Sequence, residues 1–206
     1  MLDLSCGLIV YAINIDELAS IYGSGNEKLI SLVQKQCHNR IVKYNREFSL
    51  LIEHGAPSLL EALAEIIRGE ALNQKYGAIY AYAIELYCEV FQEDFLNNAP
   101  FYPCSYKWLQ EVDFALEELG IVKEFRLVKL IDGSLPLPIP SVQDLPAFGY
   151  ITTNIAYQAF EEIKNQDYIG ADNTITEAIG TIKQWLNYVG KRFDSSAPVG
   201  LVGFYH

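Results

Sequence analysis

Basic residues are scarce in this sequence: 15 Lys and Arg stand against 26 Asp and Glu, for a formal net charge of -11. Such a chain repels the phosphate backbone of DNA or RNA and the surface of an anionic membrane, which argues against nucleic acid and membrane as partners. Long apolar runs are missing too; none approaches the roughly 20 residues a membrane helix needs. The opening MLDLSCGLIVYAI holds a faint Leu4-Ser5-Cys6-Gly7 box, but no basic or apolar stretch precedes it, so it does not read as an export signal. Cysteine is sparse, at 6, 37, 88 and 104, with no CxxC pair. A chain this long needs no disulfide staples, and the four read as reduced thiols in a cytoplasmic protein.

Catalytic signatures are equally thin. There are 3 histidines, and no GxSxG, P-loop or GxGxxG accompanies them. Gly23-Ser24-Gly25 reads as a turn into the cap of a helix, not as a nucleophile elbow. Cys37 and His38 are adjacent, and adjacent side chains diverge on a helix, so no metal site is expected. No catalytic residue and no cofactor is nominated, and the sequence leans away from an enzyme. Nothing in it speaks to oligomeric state.

What is present is ordinary globular material of 206 residues, half of them apolar, with 14 Tyr and 10 Phe. Size scaling lets such a chain bury roughly 70% of its unfolded surface. The run from Gly7 to Ile15 is rich in Ile, Val and Tyr and reads as a buried strand. Asp16 then caps a short helix over 17–22. Asn26 caps a second through about Gln36, and a third is expected over 45–54. Pro57 opens a helix carrying Leu59, Leu60, Leu63, Ile66 and Ile67, which Gly69 stops. The most apolar helix is expected over 79–95, and apolar side chains nearly surround it. Ser105 caps a helix through Leu119. Phe125 to Leu130 alternates apolar and basic residues and reads as a strand. Leu135-Pro-Leu-Pro-Ile-Pro140 excludes helix and reads as an ordered extended connection crossing the sheet. A short strand or turn follows at 149–152, with helices from 153 or 154 to about 165 and from 172 or 173 to about 188. Gly200 to His206 closes as a strand. The elements do not alternate as βαβ units, so the expected class is α+β: a small mixed or antiparallel sheet with predominating helices, as a single domain rather than two parts divided near the prolines.

The opening GLIVYAINIDEL, the block from Gly55 to Leu59, the run from Tyr76 to Cys88 and the ending Leu201-Val-Gly-Phe-Tyr-His206 resemble a bacterial family of conserved uncharacterised proteins over most of the chain. The layout also resembles the YfbM-like proteins, another α+β group. The resemblance implies a fold and carries no catalytic residue.

Charge is unevenly spread. Residues 76–120 hold 8 acids and one base, Lys107, for -7, while the flanking segments 1–75 and 121–206 each come to -2. Glu85, Glu89 and Glu93 recur at helical spacing and share one expected face; Asp113 and Glu117 follow on the next helix. The plain reading is a solvated acidic surface. The functional reading is a docking surface for a basic protein partner, formed by the two helices of 76–120. The alternative is a small-molecule-binding protein or hydrolase with a Tyr/Glu-lined pocket built from Tyr76, Tyr80 and Glu85, since aromatic walls with a few convergent polar groups suit small ligands.

Overall fold

The computed structural model describes residues 6–206. In chain order its strands and α-helices are β1 (Leu8–Ile13), α1 (Ile15–Ser20), α2 (Glu27–Gln36), α3 (His38–Glu47), α4 (Ser49–Glu53), α5 (Leu59–Arg68), α6 (Gly77–Phe91), α7 (Tyr106–Glu118), β2 (Ala147–Ile151), α8 (Thr153–Ile163), α9 (Asn173–Arg192) and β3 (Gly200–Tyr205). This is the expected α+β class, 55% helical with a three-stranded antiparallel sheet. Internal contacts divide the chain into two compact units. One takes the chain up to Ile15, then Glu93–Ser134 and Ala147–His206; the other takes Asp16–Gln92 and Leu135–Pro146.

In the sheet-bearing unit the C-terminal strand is central. β1 pairs antiparallel with one side of β3, from Leu8 opposite Tyr205 to Ile13 opposite Gly200. β2 pairs with the other side, from Ala147 opposite Tyr205 to Ile151 opposite Leu201. Leu8, Val10, Ala12 and Leu201 share one core with Leu109, Val112 and Leu116 of α7 and with Ile182, Trp185 and Leu186 of α9. The Trp185 indole N–H donates to the Asn97 carbonyl at 2.9 Å, so its polar edge is satisfied inside that core. The next residue shields the free edge of β1. Asn98 accepts from the Val10 N–H at 3.0 Å and donates to the Val10 carbonyl at 3.1 Å, occupying backbone groups that an edge strand leaves open. Ser105 and Asp172 cap α7 and α9 as expected, and Thr152 caps α8.

One expected strand is a turn. Over 125–130 the chain forms a 3-10 helix, Leu127–Leu130. The buried Asp113 carboxylate accepts the Leu127 and Val128 N–H groups at 2.6 and 3.1 Å, and the turn buries Phe125, Leu127 and Leu130 together. The third strand is β2 instead. Its Gly149 is forced by packing, because a Cβ there would run into the Lys129 carbonyl.

The helical unit is built around α5 and α6. Ser58 and Glu61 form a reciprocal capping box at the start of α5, and Gly69 ends the helix in the left-handed region at φ 69°. Leu59, Leu63, Ile66 and Ile67 of α5 and Ile79 and Ile84 of α6 are buried. α6 is shorter than the apolar pattern suggested: Gln92 is extended (φ -61°, ψ 140°) and stops it after Phe91. The third helix starts earlier than residue 45, at His38, and nearly continues into α4. The proline segment, from Leu135 to Pro140, belongs to this unit. The Pro140 and Ser141 carbonyls close on Gly77 at the start of α6, leaving no room for a Cβ, and Leu135 and Leu137 are buried.

Candidate functional site

The acidic residues singled out from the sequence each have a partner within the fold. In α6, Glu85 and Glu89 share a face, one turn apart, and that face meets α3. The Arg40 guanidinium lies 3.0 Å from Glu85 Oε1, donates to the Tyr44 hydroxyl at 2.9 Å and bonds the Glu89 carboxylate. The Glu85 side chain is fully buried, so the expectation of one solvated stripe fails at its first member. It fails at the third as well: Glu93 lies beyond the end of α6 and pairs with Arg192 of α9 at 2.8 Å. Arg40 carries no sequence signal for this role, because its partners lie 45 and 49 residues along the chain. Beside the pair, burial and then the Glu89 charge push the Cys37 thiol up to about 11. A second buried thiol on α6, Cys88, is pushed up further by burial.

On α7, Asp113 points inward. Burial pushes its carboxyl up to about 6, against the pull of the Leu127 and Val128 N–H groups and of Arg126. Glu117 is exposed and pairs with Arg126 at 3.2 Å. The two helices of the expected acidic pair fall in different units.

The tyrosines separate. Tyr76 ends the 3-10 turn Gln74–Tyr76 and donates to the His54 carbonyl at 3.4 Å. Tyr80 is buried; its hydroxyl donates to Glu65 Oε2 at 2.5 Å and accepts the Asn73 N–H at 3.1 Å. Burial and the Glu65 contact push that hydroxyl up to about 12. Tyr80 lines a groove of about 640 Å³ with Gln34, Glu61, Glu65, Arg68 and Asn73, and this groove includes neither Tyr76 nor Glu85. Five positions on a helix separate Tyr80 from Glu85 by about 140°, so the two face different neighbours. The carboxylate that joins Tyr80 comes from α5.

The outer face of α7 holds what the sequence reading passed over. Leu109, Val112, Ala115 and Leu116 form its buried stripe. Phe114 lies off that stripe and is 62% exposed. Its neighbours one turn away are Gln110, Glu111, Glu117 and Glu118, all exposed. The signal was legible: an aromatic residue whose i±3 and i±4 neighbours are all polar faces water on an amphipathic helix. Phe114, Ala115, Tyr168 and Ile175 line an apolar groove of about 420 Å³, with Lys107, Glu111 and Glu118 at its polar rim. α7 carries four acids and one base, a net -3. The arrangement can receive an apolar side chain and favours cationic neighbours around it.

Among the described residues no cluster of three His, Cys, Asp or Glu side chains could hold a metal ion, and no helix is long and apolar enough to cross a membrane. A family model described as a domain of unknown function (DUF7691) matches residues 4–206. No curated protein and no solved structure matches the chain.

Proposed function

Because the chain belongs to the DUF7691 family, a domain of unknown function, we propose its role from its own surface: it is a binding protein that docks a basic partner on the outer face of α7. The observation that carries the reading is Phe114, a large aromatic side chain 62% exposed beside an apolar groove of about 420 Å³. Glu111, Glu117 and Glu118 flank it, so the partner segment presents one apolar anchor with Lys or Arg around it. Burying the ring supplies affinity, and the carboxylates steer approach and select against acidic partners. The test is titration of a labelled basic amphipathic peptide bearing one Leu anchor, read by fluorescence anisotropy at low and high salt. Phe114→Ser weakens binding by roughly tenfold or more. Glu111→Gln with Glu118→Gln flattens the salt dependence. Equal binding by wild type and Phe114→Ser would overturn the proposal.

The Tyr80–Glu65 bond beneath the groove of the helical unit supports a second reading, a site for a small polar ligand. Three carboxylates and one guanidinium, that of Arg68, line this groove. Arg68 is engaged with Glu27 at 2.7 Å, so the ligand favoured there is a small cation such as an amine. A thermal-shift screen with small amines checks it. Stabilisation that disappears in Tyr80→Phe supports this reading, and no stabilisation by any of them removes it.

A further inference from the structure

Two of the four thiols lie together in the sheet-bearing unit, just ahead of β1 and in the loop ahead of α7. The Cys104 N–H donates to the Cys6 carbonyl at 2.8 Å. That bond sets the two backbones side by side, and the Cys6 thiol is close enough to act on the Cys104 thiol electrostatically, the kind of neighbourhood in which a disulfide can close. The Gly7 and His206 backbones exchange both their hydrogen bonds at 3.1 Å, which fixes the chain directly after Cys6 to the central strand. The Tyr205 hydroxyl completes the site. It donates to the Cys104 carbonyl at 3.1 Å, and burial and then the neighbouring Cys6 and Cys104 thiols push it up to about 12. Both cysteines are free and half-buried, whereas Cys37 and Cys88 are buried in the other unit.

We propose that Cys6 and Cys104 are an oxidisable thiol pair that a peroxide converts into an intrachain disulfide, tying the start of β1 to the loop preceding α7. The Cys6 thiolate attacks one peroxide oxygen; the O–O bond breaks, Cys6 becomes a sulfenic acid and one water leaves. Cys104 sulfur then attacks the sulfenic sulfur. The S–O bond breaks, the S–S bond forms, and the departing hydroxide takes the Cys104 proton as a second water. The two thiols together lose two electrons, and the peroxide is reduced to two waters. Burial pushes the Cys104 thiol up to about 11, which leaves it mostly protonated, so the first attack on the peroxide falls to Cys6 and Cys104 reacts only once the sulfenic acid stands beside it. The resting protein is the dithiol and the oxidised one the latched form, a reversible change of the kind expected of a sensing pair where thiols are otherwise kept reduced.

The experiment treats the full chain with dilute hydrogen peroxide, quenches with a thiol-alkylating reagent, and reads intact mass and a non-reducing peptide map. The expected result is a loss of about 2 Da and a peptide linking Cys6 to Cys104, with Cys37 and Cys88 alkylated only after denaturation. Dithiothreitol restores the starting mass, and the linked form melts several degrees higher because a long loop is closed. In Cys104→Ser, Cys6 stops at a sulfenic acid that dimedone traps; in Cys6→Ser, no linked peptide forms. Ser is close to Cys in size, and unchanged circular dichroism establishes that both variants are folded. The proposal is overturned if the wild type yields Cys6 sulfinic acid, or a disulfide between two molecules, in place of the internal link. It is equally overturned if Cys6 reacts alike in the wild type and in Cys104→Ser.

Discussion

Asp113 offers a sharp test, because geometry and titration bear on the same group. Its carboxylate is buried and accepts two backbone N–H groups from the turn at 127–128. Asn at this position keeps one acceptor, turns an amide N–H₂ toward the second backbone N–H, and cannot ionise. An orphaned buried donor costs about 1–3 kcal/mol, so Asp113→Asn loses roughly that amount at acid pH. The pH dependence then follows from the carboxyl being raised in the fold, to about 6 from the ordinary 3.8. A group raised in the folded state contributes stability that is fully present below the unfolded value and is lost as pH rises through the folded value. Two pH units correspond to about 3 kcal/mol, so the wild type loses about that much relative to Asp113→Asn between pH 4 and pH 7. The gap between the two proteins therefore closes, and reverses, as pH rises. At roughly 2–4 °C per kcal/mol in a chain of this size, the melting temperatures move relative to one another by about 6–12 °C. Trp108 and Trp185 are the only two tryptophans and lie in the same unit as Asp113, so their fluorescence follows the right transition. Parallel melting curves across pH 4–7 would refute the reasoning, because they would mean that Asp113 titrates alike in the folded and unfolded chain.

Other expectations follow from the same structure. Deleting residues 201–206 removes the central strand; Leu201, Val202 and Phe204 are fully buried, and at about 1.5–3 kcal/mol each their loss rivals the stability of a whole domain. A truncated chain that melts within a few degrees of the intact one would contradict the sheet order. Arg40→Ala strands Glu85 in the helical unit and costs about 3–5 kcal/mol, measured by urea unfolding. Neutralising Glu85 to Gln likewise costs stability, whereas relief of repulsion on an exposed acidic stripe would raise it. Timed alkylation of the native protein leaves Cys88 unmodified, because it is fully buried and its thiol is pushed far above the usual range; rapid native labelling would mean that α6 is not central to its unit.

What could be read from the sequence was set by short-range physics. The terminal strands announce themselves through Ile, Val, Leu and aromatic runs bounded by turn residues. The helix starts at Ser105 and Asp172 and the stop at Gly69 each follow from one side chain or one left-handed residue. The failures are long-range. Phe125–Leu130 alternates like a strand, but its winding is imposed by a carboxylate 14 residues upstream. Glu85 and Glu89 look like a solvated stripe until Arg40, far away in sequence, turns their face inward. The expected pocket grouped Tyr80 with Tyr76 and with Glu85, which shares its helix, whereas the Tyr80 hydroxyl meets Glu65 of the helix before. Phe114 needed no long-range knowledge, since its polar helical neighbours already placed it on the wet side.

The most direct test of the docking account is an amide NMR titration of the full chain with the basic, Leu-bearing peptide. The account predicts that the resonances that shift first and most belong to Phe114 and to the groove residues Glu111, Ala115, Tyr168 and Ile175. It predicts that those shifts disappear in Phe114→Ser. Shifts centred instead on Tyr80 and Glu65, or a spectrum that saturating peptide leaves unmoved, would contradict it.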